Sequence, residues 1–185
     1  MKKIIIFALV NRIMQAIVWL RRIRHCRGFG IQSPTDFGFV RDVVSERNPY
    51  YAYGEVGVGD SWLRRKLGQL YLRLANHVQP AVIVDLAGYD DYLHAGCRKA
   101  RLTSRLTPLS TGPALVIARP GDVSRELLSC CTEKTVLVVE HIGTHRRQWQ
   151  TVTGWPGVTV AFDLYYCGIA TFNPARAKQQ HIVNF

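Results

Sequence analysis

Apolar runs typical of buried strands alternate with amphipathic helical segments along most of the chain. The clearest run is residues 81–84, which follows Pro80 and ends at Asp85. A parallel strand that is covered on both faces has this continuous apolar composition. Further strand patterns lie at residues 102–106 (weak), 112–118, 135–139, 158–164 and 168–172. The alternation predicts an α/β fold, with a mostly parallel sheet and helices on both of its faces.

Helix signals fill the segments between these strands. Ser33 and Pro34 predict a helix start with proline at the first helical position, and Ser61 caps a strong helix that runs to about His77. Shorter helices are expected over residues 92–100, 122–131 and 144–152. The last two strands have hairpin-like spacing, so we expect them to pair antiparallel and to close the edge of the sheet.

The first 25 residues have the pattern of a basic amphipathic helix. Arginines follow its polar side, and apolar residues recur at helical spacing. These are Ile6, Val10, Ile13, Met14, Ile17, Leu20 and Ile23. The apolar run is too short to span a bilayer, and no cleavage site follows it, so neither a membrane span nor a signal peptide is predicted. The apolar side either packs on its own domain or on a second subunit, which we favour, or lies on a membrane surface.

Composition and charge point to one globular domain with an appended segment. The chain has 185 residues, 48% of them apolar, and a net charge of +11, of which residues 1–47 carry +6. Such a charge attracts phosphate-bearing partners, either nucleic acid or an anionic membrane surface. We assign residues 1–59 to the basic helix, a short helix and an aromatic, glycine-rich linker. Residues 60–185 form the predicted α/β domain.

The cysteines and histidines predict neither a disulfide framework nor a metal site. The five cysteines include no CxxC pair, and an odd number of unpaired thiols is typical of a reduced, cytoplasmic protein. His94 with Cys97, and His141 with His145, could each share a helix face. A metal site needs three or four convergent ligands, which these pairs do not supply.

The loop after residues 81–84 lies where doubly wound folds bind nucleotide cofactors. Glycines in this loop let backbone N–H groups approach the ligand closely. Only Gly88 is present here, and Tyr89, Asp90 and Asp91 bring bulk and negative charge to the following positions. The pattern therefore indicates a cofactor-binding ancestry more strongly than a working site.

Five segments, taken in order, carry a family resemblance. They are residues 28–34 (GFGIQSP), 49–53 (PYYAY), 83–86 (IVDL), 138–142 (VVEHI) and the tail 158–185. They resemble class I S-adenosylmethionine (SAM)-dependent methyltransferases of a kind common in Bacteroidetes, over nearly the whole chain. The resemblance implies a Rossmann-like sheet of seven strands that ends in an antiparallel hairpin, SAM as the cofactor, and Asp85 and Gly88 as cofactor-binding residues.

The chain departs from that family in its catalytic middle, as a shortened and degenerate form. The family's loop resembles acid-x-Gly-x-Gly, of which only Asp85 and Gly88 remain, and no acid follows the second strand to bind the ribose hydroxyls. Arg119 stands near the pocket where the family has an acid, and it would oppose the cationic sulfur of SAM. The stretch before the next strong strand is also short, so one βα unit is predicted to be missing.

The candidate catalytic residues are Glu140 and His141, which replace an Asp-Asp pair of the family. Glu140 could orient a nucleophile and His141 could act as a general base, or the pair could be an ordinary solvated strand end. Three functions remain open. We favour a non-catalytic scaffold or binding protein with an eroded cofactor site and no cofactor. The alternative is an active SAM-dependent methyltransferase with an unknown acceptor, and the least favoured is a nucleic-acid-binding module.

The expected partners follow from the amino-terminal third. They are a protein bound by the basic helix or by the Tyr50, Tyr51 and Tyr53 cluster, a second copy of the chain bound through that helix, or an anionic membrane surface. Nucleic acid is not expected as the main partner. The predicted location is the cytoplasm, peripheral to the membrane if the helix binds lipid.

Overall fold

Seven strands form one mixed sheet in the computed structural model, which describes residues 2–48, 50–106, 109 and 112–185, and only the backbone of residues 2–11. Its strands are β1 (Val82–Asp85), β2 (Arg101–Thr103), β3 (Ala114–Ala118), β4 (Thr135–Glu140), β5 (Val160–Asp163), β6 (Cys167–Thr171) and β7 (Gln179–Ile182). The order across the sheet is β2-β1-β3-β4-β6-β5-β7. The predicted α/β class is confirmed.

The described residues form six α-helices besides the sheet. They are α1 (Lys2–Arg21), α2 (Pro34–Phe39), α3 (Trp62–Val78), α4 (Asp90–Gly96), α5 (Arg125–Cys130) and α6 (Arg146–Gly154). Residues Val40–Val44 continue α2 as a π-helical turn, and 3₁₀ turns lie at Ile23–His25, Tyr51–Gly54 and Pro120–Asp122. Side chains cap α2 and α3 as predicted, because the hydroxyls of Ser33 and Ser61 accept hydrogen bonds from the backbone N–H groups of Asp36 and Arg64.

The four strands β2, β1, β3 and β4 are parallel and neighbouring. After β2 the chain crosses back over β1 to form β3 on its other side, so the direction of strand succession reverses between β1 and β3. This reversal is the switch point at which open α/β sheets bind ligands. Between β2 and β3 the described residues contain no helix, which agrees with the short spacing in the sequence.

The carboxyl-terminal hairpin is present, but it does not close the sheet. Strand β6 pairs antiparallel with both β4 and β5, and β7 then pairs parallel with β5 to form the outer edge. The prediction that the hairpin closes the edge was therefore wrong. The strand count also reaches seven, although the region between β2 and β3 is shortened, because β7 adds a strand at the opposite side.

Two hydrophobic layers cover the faces of the sheet, as predicted. Ile83, Leu115 and Val138 pack on one face with apolar residues of α3, α4 and the π-helical turn. Val84 and Val116 lie on the other face with residues of α5 and α6. Alternate residues of each strand point to opposite faces, and this explains why the strands are apolar throughout. Residues on both sides of position 59 contribute to the first layer.

Helix α1 does not bury its apolar stripe on the domain. Ile13, Ile17 and Leu20 are 50%, 37% and 60% exposed, so packing of this stripe on its own domain, one of the predicted roles, was wrong. The side chains of Ile6 and Val10, also in the predicted stripe, lie outside the described part, as does Pro49 of the aromatic loop. Among the described residues, no helix is long and apolar enough to cross a membrane.

Candidate functional site

The site lies at the carboxyl ends of β1, β3 and β4. Register places Asp85 of β1 beside Ile117 of β3, and Ile117 beside Val138 of β4. Three loops meet above these strands: one begins at Asp85, one at Ala118 and one at Glu140. All four residues predicted from the sequence, Asp85, Gly88, Glu140 and His141, belong to this region.

Asp85 binds its own loop. Its carboxylate oxygen Oδ1 accepts hydrogen bonds from the backbone N–H groups of Ala87 at 3.0 Å and Gly88 at 2.9 Å, and Oδ2 accepts one from the N–H of Tyr89. The side chain is buried. A carboxylate that accepts several backbone N–H groups is strongly held, because each charge-assisted bond contributes about 1.5–3 kcal/mol. The amides that would approach a cofactor phosphate or ribose are therefore already engaged.

The carbonyl groups of the same loop are bound by two arginines. Arg119, which follows β3, donates from its guanidinium to the carbonyl of Ala87 at 2.9 Å. Arg64 of α3 donates to the carbonyl of Gly88 and also lies over the Tyr89 ring, with its guanidinium carbon 4.4 Å from the ring centroid. The loop is thus held from both sides. Gly88 itself adopts a φ of +85°, a conformation that glycine takes without strain.

Tyr89 is buried in the interior of the site. Its ring meets the Tyr71 ring edge-on at 4.8 Å, and the Tyr71 hydroxyl donates to Oε1 of Glu140 at 2.9 Å. Glu140 is only 4% exposed, so it is not the solvated strand end that the sequence left open. Burial, and then the nearby carboxylate of Glu140, raise the pKa of Tyr89; burial is also the main cause of the raised pKa of Tyr71.

The side chains of His141 and Glu140 lie in different environments, because the chain turns after the end of β4. It adopts a positive φ of +53° and is exposed, and its backbone N–H donates to the carbonyl of Tyr166 at 2.6 Å. Its carbonyl accepts from the hydroxyl of Thr144, which caps the following turn. The structure therefore places Glu140 in the interior and His141 at the surface. Across residues 2–48, 50–106, 109 and 112–185, no three or more His, Cys, Asp or Glu side chains are grouped as metal ligands.

A polar cleft of about 740 Å³ opens beside the loop after β1. It lies between the glycine-rich segment before α3 and the outer face of α4. Carboxylates of Asp60, Asp90 and Asp91 line it together with the arginines at positions 64 and 98. A side-chain hydrogen bond with Asp85, more than burial, raises the pKa of Asp90. The Tyr92 hydroxyl donates to Asp60 at 2.9 Å and ties the two walls of the cleft together.

The residues at the switch point do not fit SAM. Asp85 and the loop amides bind one another, and the Tyr89 side chain is packed below them. No Asp or Glu occurs between Tyr92 and Gly121, so β2 ends without an acid for the ribose hydroxyls. The guanidinium of Arg119 lies at the loop where a sulfonium would need negative charge.

Two residues of this region were not predicted from the sequence. Arg64 is one of several cations on α3, and Tyr71 occupies an apolar position of the same helix. Nothing in the linear pattern distinguishes them from a solvated charge and a core aromatic residue. Their contacts with the loop and with Glu140 depend on the packing of α3 against the sheet.

Comparisons of the chain with protein-family models, with curated proteins and with solved structures give no match. Its functional interpretation therefore rests on the geometry above and on the resemblance in the sequence.

Proposed function

We propose that this chain is a methyltransferase-like protein with an eroded cofactor site, which acts as a non-catalytic scaffold or binding protein. One observation carries the proposal: the carboxylate of Asp85 accepts hydrogen bonds from the backbone N–H groups of Ala87, Gly88 and Tyr89 in the loop after β1. In a working site those amides and that acid would face the ligand. Here a bound cofactor would have to break these hydrogen bonds before it gained any of its own.

Charge supports the same conclusion. SAM carries a positive sulfur, and Arg119 and Arg64 place two guanidinium groups on the carbonyls of the loop. The ribose has no carboxylate partner at the end of β2. Repulsion and the missing hydrogen bonds both lower the affinity for SAM.

We further propose that the protein resides in the cytoplasm, peripheral to the membrane. All five cysteines are free, which suits a reducing compartment. The sheet in this proposal serves as a rigid frame for the surfaces that contact partners.

A retained SAM-dependent methyltransferase is the second candidate, and the cleft beside Gly88 favours it. Its volume of about 740 Å³ suits a ligand of this size, and the carboxylates of Glu55, Asp60, Asp90 and Asp91 line it. In this case the cofactor would bind outside the switch point, against Asp60 and Asp91, and the acceptor of its methyl group is unknown.

Calorimetric titration of the full chain with SAM and with its demethylated product tests the proposal. We expect no heat of binding up to about 1 mM ligand. A dissociation constant below about 100 µM, equivalent to a binding free energy of roughly 5.5 kcal/mol, would favour the active methyltransferase instead. If binding is found, Asp60→Asn and Asp85→Asn separate the two sites: loss of affinity in the first variant alone places the cofactor in the cleft.

A further inference from the structure

The orientation of α1 is inverted relative to an ordinary surface helix. At about 100° per residue, Ile13, Ile17 and Leu20 fall within about 60° of one another, and Arg22 falls on the opposite side. Arg22, the first residue after α1, faces the domain: it donates to the carboxylate of Asp163 and, at 2.9 Å, to the carbonyl of Val183. Among the described side chains of α1, only Gln15 and Val18 are half-buried, so this side of the helix meets the protein and the stripe of Ile13, Ile17 and Leu20 points outward.

The end of α1 is fixed in this orientation by the carboxyl-terminal residues. The side-chain amide of Asn184 donates to the carbonyl of Trp19 at 3.1 Å, and its backbone N–H donates to the carbonyl of His25 at 2.9 Å. Cys26 forms a parallel bridge with the same residue. Because these contacts use the backbone carbonyl groups of Trp19 and His25, they leave the side chains of the stripe available to a partner.

The stripe continues past the helix as a mixed apolar and cationic surface. Ile23 and Phe29, beyond the helix, are 48% and 76% exposed, and Met14 on the helix is 51% exposed. Arg21 and Arg24 are also exposed, and neither forms an ion pair among the described residues. Residues 1–35 contain no Asp or Glu and seven Lys or Arg: Lys2, Lys3, Arg12, Arg21, Arg22, Arg24 and Arg27. A surface with outward apolar side chains and unopposed cations is complementary to anionic lipid head groups.

We propose that α1 and the segment up to Phe29 bind the surface of an anionic lipid bilayer. Ile13, Ile17 and Leu20 enter the interface between head groups and acyl chains, and the exposed arginines contact lipid phosphates. A second copy of the chain is a poorer occupant, because two such segments would bring together the exposed Arg12, Arg21, Arg24 and Arg27 of each copy, with no acid in residues 1–35 between them. This inference does not depend on whether the α/β domain binds SAM.

Flotation of the full chain with lipid vesicles tests the inference. We expect binding to vesicles of phosphatidylcholine mixed with phosphatidylglycerol, weak binding to pure phosphatidylcholine, and loss of binding as salt is raised. Leu20→Asn should lower the partition constant about tenfold, since it removes an inserted apolar side chain. Val58→Asn is the matched control, because Val58 is 82% exposed but lies outside α1.

Charge reversal tests the cationic part separately. The double variant Arg21→Glu and Arg24→Glu should lower binding to the anionic vesicles by about tenfold or more, whereas Arg147→Glu on α6 should leave it nearly unchanged. Circular dichroism and thermal unfolding of each variant show whether the domain remains folded. Equal binding to neutral and anionic vesicles would overturn the proposal. So would absence of vesicle binding by a chain that light scattering shows to be a dimer.

Discussion

The Tyr71 hydroxyl donates a 2.9 Å hydrogen bond to the buried carboxylate of Glu140, and so joins α3 to the end of β4. Both side chains are buried. Glu140 therefore depends on this donor, and the pair serves to fix the helix over the sheet at the point where a catalytic carboxylate would be expected to face a substrate.

Removal of the donor should destabilise the fold. In Tyr71→Phe the carboxylate of Glu140 remains buried without its hydrogen bond, which costs about 2 kcal/mol of the free energy of unfolding. Urea titration at neutral pH measures this change. The control is Tyr92→Phe, which removes a hydroxyl bonded to the less buried Asp60 and should cost less than about 1 kcal/mol. Equal losses in the two variants would show that Glu140 does not need Tyr71.

Alkaline pH should weaken the folded state through the same tyrosines. Burial raises the pKa of Tyr71 and Tyr89 above the ordinary value, so the unfolded chain releases protons near pH 10 that the folded chain retains. Below about pH 10 both tyrosines are protonated in the folded and the unfolded chain, and the free energy of unfolding keeps its full value. As pH rises above about 10, the free energy of unfolding falls by up to about 1.4 kcal/mol per pH unit for each tyrosine. Tyr71→Phe should flatten this slope when stability is followed from pH 8 upward, whereas Tyr51→Phe at an exposed site should not. An unchanged slope in Tyr71→Phe would contradict the interpretation.

Asp85 should be a stabilising residue of its loop. Asp85→Asn removes the charge and leaves at most one oxygen for three backbone N–H groups, so we expect a loss of about 2–4 kcal/mol in the free energy of unfolding. The exposed Asp91→Asn in the next helix is the matched control and should stay within about 0.5 kcal/mol. Chemical denaturation of both variants gives the comparison. A loss in Asp85→Asn no larger than in the control would mean that the loop holds its shape without this carboxylate.

A third buried acid, Asp36, ties the carboxyl-terminal strand to α2. Asp36 accepts hydrogen bonds from Arg176 at 2.8 Å and from Nε2 of His181 at 3.1 Å, across more than 100 positions of sequence. Asp36→Asn should lower the free energy of unfolding by about 2 kcal/mol and should speed hydrogen exchange in β7. Asp42→Asn, at an exposed site of the same segment, should change neither. Protection of β7 that is unaffected by Asp36→Asn would show that the strand is held by its pairing with β5 alone.

The strands of the sheet centre could be predicted because they are apolar on both faces. The runs before Asp85, Arg119 and Glu140 need no information beyond their composition, and the caps at Ser33 and Ser61 are equally local. Strand β7 escaped prediction because Gln179–Ile182 is polar and mostly exposed, as edge strands often are. Its position follows from pairing with β5, which no local pattern records.

The candidate site could likewise be predicted only in part from the sequence. The sequence identified the loop after β1 and the unusual residue Tyr89, but not what the side chains do there. That Asp85 binds its own amides follows from the loop conformation, and that Arg64, Arg119 and Tyr71 converge on this loop follows from three distant elements. The sequence also could not predict which face of α1 would point away from the domain. An amphipathic pattern identifies an apolar face, but it does not say whether the domain or the surroundings cover that face.

Amide chemical shifts of the loop after β1 give the most direct measurement. In a nitrogen-15 NMR titration of the full chain with SAM, we predict that the amides of Ala87, Gly88 and Tyr89 stay unshifted at ligand concentrations up to about 1 mM. Hydrogen exchange should find the same three amides protected without ligand, because they already donate hydrogen bonds to the carboxylate of Asp85. A saturable shift of the Gly88 amide on addition of SAM, lost in Asp85→Asn, would show that the switch point still binds its cofactor and that the site is not eroded.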